Sequence, residues 1–178
     1  MLTRPTLLWR YTGPRPVRQD RPVSLTLRRP SADEYARWYA EAAQIYIEEI
    51  TASGAMSRAA AEEKGRRDHA ELLPDGPDTP GQPIFRIEAD GQPVGWLWFA
   101  LQQPRPEPGV GFIFDLSVDE ASRGRGYGRA AMQLAEEEAR RNGLRAPALN
   151  VFGHNTVARG LYASLGYRET SVQMRKEL

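Results

Sequence analysis

One segment constrains the fold more than any other, because an apolar stretch runs through a glycine-rich turn into a helical pattern. Val110–Val118 (VGFIFDLSV) predicts a buried strand, Arg123–Gly128 (RGRGYG) is the turn, and Gly126–Asn142 has helical spacing. Glycines leave the main chain open to a ligand, and the first N–H groups of a helix have no acceptor within it. The helix dipole favours negative charge there, so the segment predicts a phosphate or pyrophosphate site.

The residues of this turn exclude two common phosphate-binding motifs. The chain contains no Gly-x-x-x-x-Gly-Lys-[Ser/Thr], which excludes a nucleoside triphosphate P-loop. Arg129 stands where the Rossmann fingerprint requires its third glycine. RNA-binding RGG boxes are repeated and disordered, whereas this turn is single and lies between a predicted strand and a predicted helix. The pattern that remains is Arg-x-x-Gly-x-Gly, from Arg123 to Gly128.

Composition excludes several classes of site and partner. The 178 residues include no cysteine, which excludes a disulfide scaffold and a thiol nucleophile, and two histidines, so we expect no metal site. Lys and Arg number 24 against 23 Asp and Glu, and the net charge of +1 gives no field for nucleic acid. No segment approaches the roughly 20 apolar residues of a membrane span, and the N-terminus lacks a secretory pattern. We therefore expect a cytoplasmic protein.

The chain reads as an N-terminal tail followed by one domain. Residues 1–22 are rich in Arg and Pro and predict a flexible tail; the alternative is an arm that touches a polyanion or a partner subunit. Residues 23–178 fit the size of a single domain. The predicted strands are Val23–Arg29, Ile84–Glu88, Val94–Leu101, Val110–Val118, Ala148–Phe152 and Tyr167–Arg175. The predicted helices are Ser31 to Gly54, Ser57–Leu73, Gly126–Asn142 and Asn155–Gly166. This order predicts a mixed α/β layer fold that begins mainly antiparallel.

Short motifs predict where two of these elements begin and turn. Ser31 followed by Glu34 predicts a capping box at the start of the first helix, because each side chain can bond the other residue's main-chain N–H. Asp90-Gly91 between two predicted strands favours a two-residue hairpin turn. We therefore expect the second and third strands to pair as a hairpin.

A second motif follows the glycine turn, in Leu149–Tyr167 (LNVFGHNTVARGLYASLGY). It reads Asn-x-x-Ala-x-x-Leu-Tyr-x-x-x-Gly-Tyr, formed by Asn155, Ala158, Leu161, Tyr162, Gly166 and Tyr167. Paired with the upstream Arg-x-x-Gly-x-Gly, it resembles the GCN5-related N-acetyltransferase (GNAT) superfamily. The resemblance covers Val23 to Leu178, and the ending Glu169–Leu178 is similar to a bacterial subgroup of mostly unassigned substrate.

The resemblance implies a fold and an activity. The fold is a central, mostly antiparallel sheet of six to seven strands, splayed between the fourth and fifth strands and flanked by about four helices. The activity is acetyl-CoA-dependent N-acetyl transfer to a primary amine of a small molecule or peptide, made directly because no thiol exists to carry an acyl-enzyme. The alternative is a catalytically idle acyl-CoA-binding module. We expect no nucleic acid or membrane partner, and relatives that dimerise leave a homodimer open.

The resemblance also implies which residues contact the cofactor. Main-chain groups of Leu116, Ser117 and Val118 are expected along the pantetheine arm. The pyrophosphate is expected on the turn, formed by Arg123, Gly124, Arg125, Gly126, Tyr127, Gly128 and Arg129. Asn155 matches an asparagine that contacts the arm, and it is also a good helix N-cap, so both roles can hold together.

Tyr162 matches the family tyrosine that faces the thioester sulfur, where a phenol can protonate the leaving thiolate. A core aromatic residue is the ordinary alternative. The base is open, because Phe112 and Asn150 stand where many members carry Glu. Asp115 is the only acid between Val110 and Val118. Simple alternation of side chains along the strand places it on the opposite face from Phe112, although a bulge would change this register. It is a candidate base or the partner of an arginine, and a base acting through water or a substrate that arrives neutral also remains open.

Acidic residues predominate in the first predicted helix, and in the family the first two helices line the acceptor side. Between Ser31 and Ser53 there is one basic residue, Arg37, and five acidic residues: Asp33, Glu34, Glu41, Glu48 and Glu49. An acidic lip would suit a cationic amine, although a solvated helix face explains the same charges. The candidate substrate contacts are Tyr46, Glu48, Glu49 and Asn150. His154 either titrates usefully beside Asn155 or is a turn residue.

Overall fold

The computed structural model describes residues 24–102, 107–174 and 176. Within these residues, five strands form one sheet in chain order, and each neighbouring pair is antiparallel except the last, which is parallel. The strands are β1 (Leu25–Arg28), β2 (Ile84–Ala89), β3 (Gln92–Ala100), β4 (Val110–Val118) and β5 (Ala146–Leu149). The helices are α1 (Ala32–Ala52), α2 (Arg58–Leu72), α3 (Tyr127–Arg141) and α4 (Thr156–Ser164). The predicted tail, residues 1–22, lies outside the described residues.

The two predicted local motifs are confirmed. Ser31 Oγ accepts from the main-chain N–H of Glu34 at 3.3 Å, and Ser31 N–H donates to Glu34 Oε2 at 2.8 Å. Asp90 and Gly91 have φ angles of 50° and 75°, the left-handed pair that joins two strands with matching twist. The hairpin β2–β3 therefore closes as the sequence predicts.

The sheet separates two apolar clusters. On one face, Leu97, Phe99 and Ile113 pack with residues of α3 such as Met132. On the other face, Trp96 and Trp98 of β3 pack with Trp38 of α1, at ring-centroid distances of 5.7 and 5.8 Å. We call the second group the tryptophan cluster. It fixes α1 across the middle of the sheet.

β4 carries a bulge at Phe114. Trp98 pairs with Asp115 while Phe99 pairs with Ile113, so Phe114 is an extra residue on β4. Phe114 stacks on Trp98 at 4.4 Å, and Asp115 bonds Trp38 of the same cluster. Both side chains therefore point to the α1 face, as a bulge permits and simple alternation does not.

β4 and β5 separate halfway along β4. Their pairing runs from Val110 opposite Ala146 to Ile113 opposite Leu149 and stops there. Within the described residues, the second half of β4, residues 114–118, has no strand partner on this side. The splay that was predicted between the fourth and fifth strands is confirmed.

Two predicted strands differ in the structure. The fifth lies at Ala146–Leu149 rather than at Ala148–Phe152, because pairing with β4 sets its ends and the chain then leaves the sheet. The predicted strand Tyr167–Arg175 is wrong for its described residues, 167–174, which form no strand. Tyr167 packs against the core, but farther along the segment Val172 is 67% exposed and Met174 is 89% exposed. The described sheet consequently has five strands, not six or seven.

Arg28 links β1, β2 and α1 and predicts an acid-sensitive contribution to stability. It donates to Glu34 at 2.9 Å and to Glu88 at 2.7 Å. The hydrogen bond from Arg28 lowers the pKa of Glu34 from 4.5 to about 2. Because this pKa falls on folding, the contribution is present above pH 4.5 and is lost as the pH falls toward about 2.

Glu34→Gln should therefore lower the free energy of unfolding by about 1 kcal/mol at neutral pH, the scale of a partly exposed ion pair. Denaturant unfolding of both proteins between pH 7 and pH 2 checks this. The two curves should converge in acid. A constant difference across that range would contradict the assignment to charge, since glutamine keeps a capping-box oxygen.

Candidate active site

The glycine turn joins β4 to α3 by way of a short 3-10 turn, Glu120–Ser122. Arg123 Nε donates to the Val118 carbonyl at 3.1 Å, which ties the turn to the end of β4. Gly124 and Gly126 have φ angles of 75° and 84°, which favour glycine. A Cβ built on Gly124 would meet nothing within 4 Å, so the turn faces open space.

Six successive main-chain N–H groups of this turn have no acceptor within the described part of the chain. Arg123 N–H donates to the Glu120 carbonyl, and the next main-chain donor is Ala130, which bonds Gly126 at 3.2 Å. The groups between them, from Gly124 to Arg129, begin α3 and lie at its positive dipole end. Such an array binds an anion of several oxygens, as predicted for a diphosphate.

Arginine side chains surround these N–H groups. Arg125 is exposed and forms no ion pair with any described residue. Arg129 Nη2 donates to Ser164 Oγ of α4 at 2.6 Å, which places its charge between α3 and α4. The turn is therefore cationic, and with respect to the described residues its N–H donors and the Arg125 side chain are unpaired.

The remaining predicted cofactor residues border the splay. Leu116, Ser117 and Val118 lie on the half of β4 that has no partner on its β5 side among the described residues, which leaves main-chain groups available. Asn155 Oδ1 accepts from Ala158 N–H at 3.1 Å and caps α4, as predicted. Its amide nitrogen has no partner within the described chain and remains available to a ligand.

Asp115 lies where β4 leaves β5. Its Oδ2 accepts from Trp38 Nε1 at 2.9 Å and from Ser117 Oγ at 3.4 Å. An indole and a hydroxyl hold this carboxylate, and no arginine of the described residues pairs with it. Burial raises the pKa of Asp115, and these two hydrogen bonds oppose the rise. Trp38 lies 77 residues away in sequence, and no local signal marked it.

Tyr162 lies on α4, half-buried, with its ring 5.9 Å from that of Tyr167. Burial raises the pKa of Tyr162, and the negative charge of nearby Asp115 raises it further. The two candidate catalytic residues are therefore close enough to interact electrostatically. The phenol stays protonated at neutral pH, the state that a proton donor needs.

The predicted acceptor contacts separate into different surroundings. Tyr46 Oη donates to Asp68 of α2 at 3.2 Å, within the α1–α2 contact. Glu48 is exposed and accepts from Gln44 at 2.6 Å. Glu49 pairs with His154 Nε2 at 2.7 Å, across 105 residues of sequence. Asn150 is exposed just after β5. Their contact with a substrate stays a prediction.

Asp115→Asn should stabilise the fold while it lowers turnover. The pKa of Asp115 is raised on folding above 3.8, so its ionised form costs stability as the pH rises through that region. Asparagine keeps an oxygen for Trp38 without the buried charge, and we expect a gain of about 1 kcal/mol at neutral pH. Denaturant unfolding and thiol release from acetyl-CoA measure the two effects.

The gain should vanish below pH 3.8, where wild-type Asp115 is protonated as well. Asp119→Asn is the matched control, because Asp119 pairs with Arg86 at 2.7 Å and should lose stability instead. A loss of stability in Asp115→Asn at neutral pH would contradict the prediction.

The described residues form neither a metal-ligand cluster nor a membrane-spanning helix. Across residues 24–102, 107–174 and 176, no three His, Asp or Glu side chains gather as metal ligands would. None of the helices formed by these residues has the length and apolarity that crossing a membrane requires.

Comparison with known proteins agrees with this geometry. The sequence profile of the Acetyltransferase (GNAT) family matches residues 34–167. YdgE of Bacillus subtilis strain 168, an uncharacterized N-acetyltransferase, is 31% identical over 157 residues, which span 88% of this chain and 99% of YdgE. The crystal structure of YycN from Bacillus subtilis has a TM-score of 0.80 at 30% identity, covering 87% of this chain and 99% of YycN.

A more distant structure shares the fold. The aminoglycoside N-acetyltransferase AAC(6')-Iy in complex with CoA has a TM-score of 0.55 at 18% identity, covering 89% of this chain and 97% of that protein. The family match spans the hairpin, the splayed strands, the glycine turn and both helices that follow. The chain therefore belongs to the acetyltransferase (GNAT) family and is an acyltransferase.

Proposed function

We propose that the protein binds acetyl-CoA and transfers the acetyl group directly to a primary amine of a small molecule or a peptide. The observation that carries this proposal is the run of main-chain N–H groups from Gly124 to Arg129, which find no acceptor among the described residues and lie beside the half of β4 that leaves β5. The family match supports acyl transfer in general. The amine acceptor rests on the resemblance to the family, and direct transfer rests on the absence of a cysteine from the sequence.

The residues present fit coenzyme A. The turn offers a diphosphate a helix N-terminus, together with N–H donors and an Arg125 charge that are unpaired among the residues the structure describes. Leu116–Val118 pair with β3 but have no strand partner on their β5 side among the described residues, and a pantetheine arm would bond their main chain there and the amide of Asn155. When bound, the thioester supplies an activated acetyl group.

Tyr162 is the proton donor to the departing thiolate. Burial and the charge of Asp115 hold its phenol protonated until the thiolate forms. Asp115 acts on Tyr162 in this assignment, and Trp38 fixes its carboxylate. General acid catalysis of this kind contributes about 100-fold or more to a rate.

A catalytically idle acyl-CoA-binding module is the second candidate. Phe112 is buried and Asn150 is exposed at the two positions where the resemblance expects a glutamate base. A cleft that binds the thioester without such a base could serve as a sensor. The distinction is one of turnover and not of binding.

Thiol release from acetyl-CoA across a panel of primary amines and peptides tests the proposal, with longer acyl-CoA donors in parallel. We expect release that depends on both the amine and the donor. Calorimetry with coenzyme A measures binding independently. Tight binding without release for any amine would favour the idle module, and no binding would contradict both candidates.

A further inference from the structure

α1 crosses the sheet and extends beyond the free edge of β4. Near its start, Glu34 pairs with Arg28 of β1, and one turn later Trp38 bonds Asp115 of β4. Near its end, Glu49 bonds His154, which follows β5. The second half of α1 therefore spans the gap where β4 and β5 separate.

The face of α1 over this gap changes from packed to open. Trp38, Ala42, Ile45 and Glu49 recur at spacings of four, three and four residues and share one face. Trp38 and Ala42 pack into the tryptophan cluster. Ile45 is 56% exposed although it lies between Ala42 and the bonded Glu49. The sheet therefore leaves Ile45 largely uncovered, and the Glu49–His154 pair lies one helical turn beyond it.

The hydrogen bond between Glu49 and His154 fixes the state of the imidazole. A carboxylate accepts only, so His154 Nε2 carries the hydrogen in the 2.7 Å contact. Nδ1 has no partner among the described residues, and in the neutral ring it holds the lone pair. The ring also stacks on Phe152 at 5.7 Å and 20°, which restricts its rotation.

The loop that carries His154 is braced from α4. Arg159 Nη1 donates to the Gly153 carbonyl at 3.3 Å, and the same guanidinium donates to Glu169 at 2.5 Å. Both His154 and Glu49 keep substantial exposed surface. The arrangement is a positioned imidazole with one free nitrogen at the mouth of the splay, next to Asn155.

We infer that His154 is the proton acceptor for the incoming amine and that Glu49 is the residue that positions it. The inference rests on the proposed function. A carboxylate that holds one imidazole nitrogen while the other takes a proton is an established catalytic arrangement. This assignment explains how the site can lack a glutamate at positions 112 and 150, because the proton acceptor, His154, comes from the loop before α4 instead.

The proton transfers balance. An amine that arrives as an ammonium gives one proton to His154 Nδ1, directly or through one water, and regains its nitrogen lone pair. That pair forms the new C–N bond as the C–S bond breaks. Tyr162 gives its proton to the departing sulfur and recovers one from the acylated nitrogen. The imidazolium returns its proton to solvent, so one proton leaves for each amide formed.

Amines of different basicity can distinguish a His154 that accepts a proton from a His154 that only supports the structure of the site. At neutral pH an alkylamine arrives protonated and an arylamine does not. His154→Gln can still donate to Glu49 but cannot take a proton, so it should lower kcat/KM about 100-fold for the alkylamine and change it little for the arylamine. Glu49→Gln should lower kcat/KM for the alkylamine about 10-fold, because Glu49 acts through the imidazole that it positions and does not itself take the proton. Glu62→Gln, in an exposed α2 pair with Arg58, is the control.

Two measurements do not depend on turnover. Calorimetric affinity for coenzyme A should be unchanged in both variants. Ring-nitrogen NMR of the wild-type protein in mildly alkaline buffer should show His154 with a hydrogen on Nε2 and a bare Nδ1. The opposite tautomer would overturn the inference.

The kinetic outcomes are equally decisive. An equal loss of kcat/KM for both amines in His154→Gln would show that His154 only supports the structure of the site. No loss for either amine would show that His154 takes no part in the reaction. Either result overturns the inference while the proposed function stands. A wild-type protein that releases no thiol with any amine would overturn the proposed function, and this inference with it.

Discussion

Gly126→Glu should abolish coenzyme A binding, with an affinity loss of about 1,000-fold. Gly126 caps α3 in the left-handed region, at a φ of 84°, within the run of free N–H groups. A carboxylate about 4 Å from a phosphate charge repels it by about 4 kcal/mol at an effective dielectric of about 20. That energy corresponds to the expected loss. Isothermal titration calorimetry with coenzyme A measures it.

Gly143→Glu is the matched control, because Gly143 lies past the other end of α3 with a φ of 70° and open space around it. It carries the same backbone strain, of about 1 kcal/mol, and the same added charge. We expect unchanged affinity with a similar loss of stability. Binding by Gly126→Glu at wild-type strength would show that the diphosphate lies elsewhere.

Tyr162→Phe should lower kcat about 1,000-fold and leave affinity for coenzyme A nearly unchanged. The substitution removes the proton donor to the thiolate but keeps the half-buried ring on α4. General acid catalysis accounts for an effect of this size. Stopped-time assays of thiol release give kcat, and calorimetry gives the affinity.

Tyr167→Phe provides the comparison within the same pair of rings. The Tyr167 ring lies 5.9 Å from that of Tyr162, and its buried hydroxyl lies near the Glu136 side chain without a well-formed hydrogen bond to any described residue. Its removal breaks no well-formed hydrogen bond, so the free energy of unfolding should stay the same or rise, and kcat should not change. Equal rates for wild type and Tyr162→Phe would deprive Tyr162 of its assigned role.

The parts of the fold that depend on neighbours in sequence could be predicted. The Ser31–Glu34 capping box, the Asp90-Gly91 turn and the bounds of β4 are local, and the structure confirms them. The anion site at the glycine turn could be predicted for the same reason, because it is formed by main-chain N–H groups of consecutive residues.

The parts that depend on register and on distant partners could not be predicted. The bulge at Phe114 exists only relative to β3, and it decides which face Asp115 occupies. The bonds from Trp38 to Asp115 and from His154 to Glu49 join residues 77 and 105 positions apart. The alternation in Tyr167–Arg175 resembles a strand, but a strand needs a neighbour, and its described residues have none.

The extra residue at Phe114 changes how related sequences must be aligned with this one. A homologue without it, matched position by position from Val110 onward, would place a side chain from the opposite side of its sheet against Asp115. Counting backward from Arg-x-x-Gly-x-Gly avoids the error, because pairing is regular from Asp115 to Val118. Surveys of acidic residues in this strand should therefore place any gap before Asp115.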